Sequence, residues 1–229
     1  MPNETFFNLP KEKQKRILKA AKKEFSQSAL KDASIANVVK EADISRGSFY
    51  QYFEDMEDLY LYYFHSLGKD NHKQFLIHLR QHQGDLFATF EEFFSSWILE
   101  IFKGENVLFY KNLFTSLDPR AIHRFITFNE TNQQKELRKT SDAAHEKMQE
   151  ITKAMLKEVD QTKLAVVDDQ QLELLFRLLI HITFSTIADG YRYHCDNGKY
   201  DIEKINEEFH LKLNWLQKGM ETNERGNHR

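Results

Sequence analysis

Between Ser34 and Leu59 the chain reads SIANVVKEADISRGSFYQYFEDMEDL. The side chains there that could do chemistry are hydrogen-bonding groups, not a nucleophile or a pair of acids. Phe49 and Phe53 stand four apart, so on a helix they share one face, and that face must pack inward. What remains, Ser45, Arg46, Gly47, Ser48, Tyr50, Gln51 and Tyr52, is then directed outward as a set of small, amide, phenolic and guanidinium groups. A guanidinium can chelate a guanine edge, and Tyr and Ser hydroxyls suit phosphates or base edges. The chemistry on offer is recognition of a nucleic-acid duplex.

Such groups need a frame. Ile35, Val38, Val39 and Ala42 form an apolar stripe of helical spacing behind Ser34, which can cap that helix and joins the candidate contact set. Ala42-Asp43-Ile44 reads as a tight turn, and Ser45 as the cap of a second helix over residues 46–53. Two short helices, a turn, and hydrogen-bonding groups at the front of the second helix have the geometry that enters a major groove. Upstream, a first helix from Pro10 to about Ser26 turns Ile17, Leu18, Ala20, Ala21 and Phe25 inward. The lysines near its start, Lys11 and Lys15, are the candidate phosphate contacts.

Residues 17–59 resemble the N-terminal domain of the TetR/AcrR family of transcriptional regulators. The matching segments are ILKAAKKEF on the first helix, ASIANVVKEADIS on the second, and RGSFYQYFEDMEDL on the recognition helix and the start of the next helix. Two positions depart from the family pattern. Asp43 stands where Gly is usual in the turn and tolerates a left-handed backbone nearly as well. Met56 stands where a phosphate-contacting Lys is common. The resemblance implies an all-α chain with a helix-turn-helix DNA-binding domain over residues 1–55 and a helical ligand-binding and dimerisation domain over 56–229. It also implies a double-stranded DNA operator, a homodimer, and a repressor that a small apolar or aromatic molecule releases.

Composition agrees. The 229 residues include only eight Gly and three Pro, so helix is the default nearly throughout. One cysteine, Cys195, excludes an intramolecular disulfide and suits a reducing cytoplasm. The longest apolar run, Leu172 to Ala188, is interrupted by Glu173, Arg177 and His181, so no membrane span is expected. Between Leu9 and Tyr50 ten Lys and Arg face five acids, a net +5 that leaves −8 for the rest of the chain. A basic head on an acidic body presents one end to a polyanion.

Asp55 predicts the cap of a long connector helix over residues 56–83, with Asp58 completing a capping box and Gly68 marking either a bend or a tolerated glycine. Beyond Gly84 the body is rich in rings. Phe90, Phe94 and Trp97, then Phe109 and Phe114, then Phe125, and later Phe184 are the candidate lining of a cavity for a flat or apolar effector. For any single one of them ordinary bundle core is the better account. Residues 131–163 read as a polar surface helix or helix pair. The last two helices, residues 170–195 and 202–220, are separated by a turn at Asp196, Asn197 and Gly198. The first is apolar nearly all round and needs partners on every side, which predicts a two-fold four-helix bundle. Leu175, Leu179, Phe184, Phe209, Leu213 and Trp215 are the expected interface.

No Gly-rich phosphate loop, Gly-x-Ser-x-Gly or cysteine pair is present in the sequence, so no catalytic role or resident cofactor is expected. His78 and His82 stand four apart and could chelate an ion, though a solvated pair is the ordinary outcome. Some members of the resembled family sense haem through histidines of the body. Haem is thus one candidate effector, with His72 and His145 as its candidate axial ligands. The rival classes are an all-helical small-molecule carrier or enzyme, or a protein–protein adaptor, that keeps the head as a structural module. Specific retention of DNA separates the regulator from both.

Overall fold

The computed structural model describes residues 2–68, 71–116, 150, 152–196 and 199–220. After a four-residue helix α1 (Glu4–Phe7), Pro10 occupies the cap position of α2 (Lys11–Gln27). Of the inward set expected for α2, Ile17, Ala20, Ala21 and Phe25 are buried and Leu18 is half-buried. A 3-10 turn, Leu30–Asp32, leads to α3 (Ile35–Glu41), and α4 (Arg46–Tyr52) follows. Asp43 between them has φ 49°, the left-handed conformation that the family usually gives to glycine. Its carbonyl accepts a 3.4 Å bond from the Arg16 guanidinium of α2.

Caps explain most of the boundaries. Ser45 accepts the Ser48 N–H at 3.0 Å and starts α4. Asp55 accepts the Asp58 N–H at 2.8 Å, and the Asp58 carboxylate accepts the Glu54 N–H at 3.2 Å, a reciprocal pair that fixes the start of α5 (Met56–Leu67). Ser34 sits at the cap position of α3 but its side chain accepts no capping bond. Instead its N–H donates to the buried Glu24 carboxylate at 2.6 Å, which ties α3 to α2.

The single connector helix expected over residues 56–83 is two helices. α5 closes at Gly68, whose N–H bonds the Phe64 carbonyl at 3.3 Å, and α6 (Asn71–Gln81) begins anew. A glycine loses more backbone freedom in a helix than any other residue, and this one ends the helix. α6 closes in turn through Gln83 (φ 54°) and Gly84 (φ 82°). A Cβ on Gly84 would stand 2.6 Å from the Asp160 nitrogen, so the glycine admits the segment around Asp160 against this turn. Arg80 secures the same contact through a bidentate pair with Glu158 at 2.6 and 2.7 Å. His78 and His82 share one carboxylate, that of Glu92, at 3.4 and 2.5 Å. Among the described residues no group of three such side chains could hold a metal ion.

The body is built from α7 (Leu86–Lys103), α8 (Val107–Ser116), α9 (Asp169–Tyr193) and α10 (Ile202–Met220). Phe94 of α7 stacks on Phe209 of α10 with centroids 3.7 Å apart, and Phe102 stacks on Tyr191 of α9 at 4.4 Å. Gly190 lets these helices meet, since a Cβ there would lie 2.8 Å from both Phe102 and Ile205 side chains. Between α9 and α10 the expected turn is flanked by a two-residue antiparallel pairing, Cys195–Asp196 with Lys199–Tyr200; Asn197 and Gly198 lie outside the described residues. α9 is long and apolar enough to cross a membrane by length and composition, but half of its most apolar window is packed inside the protein.

Head and body are joined side by side as well as end to end. Phe25 of α2 packs edge-on against Tyr60 of α5 at 4.6 Å, and Tyr60 meets Phe109 of α8 at 5.3 Å. The Asn112 amide donates to the Phe25 carbonyl at 2.9 Å, and Lys22 pairs with Glu105 at 3.3 Å. Burial raises the pKa of Tyr60, and burial with the neighbouring Tyr110 raises that of Tyr63, so both phenols stay neutral.

Candidate functional site

The second helix of the turn motif, α4, is held from beneath and from both ends. Phe49 and Phe53 are fully buried, as their spacing predicts. Beneath them lies a segment to which the sequence pattern assigned no role. Phe6 of α1 is fully buried against Phe53 at 5.1 Å and Tyr62 at 5.2 Å. Asn3 donates its backbone N–H to the Tyr52 carbonyl at 2.9 Å and its side-chain amide to the Gln51 carbonyl at 3.3 Å. The last carbonyls of α4 are thereby satisfied by the chain's own start. Gln14 locks that start in place, donating to the carbonyls of Phe7 at 3.1 Å and Leu9 at 2.8 Å. The available signal was Phe6-Phe7 upstream of Pro10, two aromatics with no visible partner. Phe6→Ala is expected to cost about 3–5 kcal/mol, read as a lower urea midpoint at unchanged slope.

On the outer surface, Ser45, Arg46, Gly47, Tyr50 and Gln51 are exposed and Ser48 is half-buried at the edge. The Arg46 guanidinium lies 6.0 Å from the Tyr50 ring centre and 3.5 Å from its hydroxyl, so the two side chains support each other. Gly47 has open space, the nearest atom to an added Cβ being Ser45 Oγ at 3.8 Å. Tyr52 departs from the outward set. It is buried, its ring beside Phe6 at 6.3 Å and beneath the Lys13 ammonium at 5.5 Å. One turn of helix separates it from Ser48, but the α1 segment covers that flank.

Ser34 is half-buried at the head of α3. Lys11 bonds Gln14 at 3.4 Å and Lys15 pairs with Glu12 at 3.0 Å, both exposed at the start of α2. Surface pairs of this kind are weak and exchange readily for a phosphate. Lys22 and Lys23 are engaged with Glu105 and Glu41, so they serve the protein's own framework.

In the body the structure sorts the expected lining residues. Trp97, Phe184 and Phe114 come together, with Trp97–Phe184 centroids at 6.2 Å and Phe184–Phe114 at 5.5 Å. Phe109 is instead part of the head–body joint, and Phe94 is closed in against Phe209. Phe90 packs between Phe75 and Phe176. Phe125 and His145 lie outside the described residues. His72 is half-buried, its pKa lowered by burial, and it adjoins His65, whose pKa falls to about 4 through burial and the like charge of His72. No described side chain adds support for haem beyond the family resemblance.

The expected interface residues are sorted in the same way. Leu179 and Phe209 are fully buried within one chain, and Leu175, Leu213 and Phe184 nearly so. The helical period turns them toward α7, α8 and the α9–α10 contact, so they cannot form an exposed seam. Trp215, at 65% exposure, remains on the outside, joined by Leu174 at 56%, Leu178 at 45% and Leu211 at 50%.

An all-helical chain that offers a capped second helix of a helix-turn-helix has the fold of a DNA-binding regulator. Residues 17–63 match the bacterial regulatory proteins of the tetR family, and residues 85–220 match the tetracyclin repressor-like C-terminal domain. The chain belongs to the TetR family of transcriptional regulators, DNA-binding proteins and not enzymes. An uncharacterized HTH-type transcriptional regulator of Bacillus subtilis (strain 168), YdgC, is 43% identical over 49 residues, 21% of this chain and a quarter of that protein's length. A TetR transcriptional regulator from Rhodococcus sp. RHA1 shares the fold at TM-score 0.50 and 14% identity, over 90% of this chain and 95% of its own. A TetR family regulator from Chloroflexus aurantiacus J-10-FL matches over 97% of this chain and all of its own, at 20% identity and TM-score 0.45.

Proposed function

We propose that this protein is a cytoplasmic homodimeric repressor that leaves its operator when a small apolar or aromatic molecule enters the body. The observation that carries the reading is the front of α4, where Ser45, Arg46, Gly47, Ser48, Tyr50 and Gln51 project from a helix held by Phe6, Phe49 and Phe53. Residues 1–55 act as the reading head and residues 56–229 as the sensing and assembling body. Two heads on a two-fold dimer read two half-sites one helical turn apart or a multiple of it. An effector lowers DNA affinity only through its preference for the body that holds the heads at the wrong spacing. A preference of about 2.7 kcal/mol changes occupancy a hundredfold. The exposed Leu174, Leu178, Leu211 and Trp215 support the two-fold contact.

Electrophoretic retardation of the DNA upstream of the protein's own gene, against random fragments, tests the reading. Discrimination of a thousandfold or more is expected of a specific binder. Lys11→Ala and Lys15→Ala should each lower affinity alike on all fragments and flatten the salt slope by about one. Uniform weak binding to every fragment would instead describe a carrier or an adaptor.

A further inference from the structure

On α9 one nitrogen of a cation is left without a partner among the described residues. Arg177 is half-buried on this mostly apolar helix, and its Nε is closed off from solvent without a hydrogen-bond partner. Other cations of the body are engaged: Arg80 grips Glu158, and Lys212 bonds Asp189 at 3.5 Å and Glu208 at 3.1 Å. A buried donor left unmade is costly, most of all on a charged group, and folded proteins seldom leave one without a reason.

The position of Arg177 supplies that reason. Phe184 lies seven residues on, two helical turns along almost the same line of the helix surface. Phe184 is the residue that gathers Trp97 and Phe114, and Trp97 in turn lies 5.8 Å from Phe93. One stripe of α9 therefore presents a guanidinium at one end and a group of rings about 10 Å further along the axis. A guanidinium is a planar fork of donors that matches carboxylate, sulfonate and phosphate oxygens.

We propose that Arg177 anchors the anionic end of the effector, and that the effector is an amphipathic acid: a carboxylate-like head carrying a flat or apolar body that reaches the rings of Trp97 and Phe184. The proposal rests on the sensing role of the body and narrows its ligand from apolar molecules in general to anionic ones. Neutral and cationic apolar molecules leave the Arg177 Nε unmet, and are discriminated against for that reason.

Two fluorescent probes with one aromatic skeleton test it: 8-anilinonaphthalene-1-sulfonate, and N-phenyl-1-naphthylamine, which lacks the sulfonate. Both are titrated into the full chain and into Arg177→Met, Arg177→Gln and Arg177→Lys. Loss of a charge-assisted contact should raise the Kd of the sulfonate roughly tenfold or more in the Met and Gln variants. The neutral probe should change less than about twofold across the same variants, and Lys should recover part of the loss. The Gln variant, which keeps a polar end, serves if the Met variant folds poorly by circular dichroism. Equal losses for both probes, no loss for either, or a native protein that takes up neither probe would overturn the anion anchor. So would dissociation of the dimer in the Met variant, which would assign the guanidinium to a contact between copies. Operator retention, measured separately, reports on the regulator itself: selective retention without sulfonate preference sinks only the anchor, and absent retention sinks the regulator.

Discussion

Replacing both Arg46 and Tyr50 by alanine is expected to abolish selective operator binding, a loss of a hundredfold or more, while the protein stays folded. Both side chains are exposed, and α4 is built on others, so their removal opens no cavity. Each good contact with a base edge contributes about 1–3 kcal/mol of discrimination. The two side chains touch, at 3.5 Å between guanidinium and hydroxyl, so the single variants should not add to the double. Phe49→Ala is the control with the opposite signature. It empties a fully buried site between α4 and the rest of the head and should cost about 3–5 kcal/mol of stability. Circular dichroism and thermal melting separate the outcomes. An Arg46→Ala/Tyr50→Ala protein that keeps its operator would falsify this docking of α4.

The second large effect concerns assembly. The native protein should sediment as a dimer at micromolar concentration, and Leu178→Arg should sediment as a folded monomer. Leu178 is exposed on α9, beside Leu174 one turn before it, while α10 exposes Leu211 and Trp215. Large apolar side chains left exposed on two packed helices mark an interaction surface. A charge placed in it should weaken operator binding in parallel, because one head reads one half-site. Phe184→Arg should behave differently, since Phe184 is buried against Trp97 and Phe114. It should unfold the body and not merely separate two copies. A Leu178→Arg protein that remains dimeric with full operator affinity would place the interface elsewhere.

The head was legible in the sequence because its signals are local. Caps at Ser45 and Asp55, the left-handed Asp43 and the i,i+4 pair Phe49 and Phe53 are each decided within a few residues of chain. Tyr52 was misplaced because its burial is decided from 46 residues away, by Phe6, through a helix of only four residues. The body shows the same division on a larger scale. That α9 and α10 are helices, and that rings crowd around them, follows from composition and period. Which rings face a cavity and which close the core depends on the rotation of each helix against three others. An apolar helix carries little periodic contrast from which to read that rotation, so Phe94, Phe209 and Leu179 read as well on a binding surface as in a core. Gly68 illustrates the remaining ambiguity: a glycine within a helical pattern is tolerated or terminal according to context, and here it is terminal.

The lateral seam between α2 and α8 bears on how such a protein can be rebuilt. A chimaera made by cutting at Asp55 and fitting a foreign body behind the head would keep every proposed DNA contact and still lose the acceptor face that the head requires. Phe25, fully buried, would shed the rings of Tyr60 and Phe109, and its carbonyl would lose the Asn112 amide. The transplantable unit is therefore discontinuous, the first 67 residues together with the Val107–Ser116 helix that grips them. An exchange that carries both pieces should retain the register between reading end and sensing end, whereas one that respects only the order of the chain should yield a head with no fixed orientation.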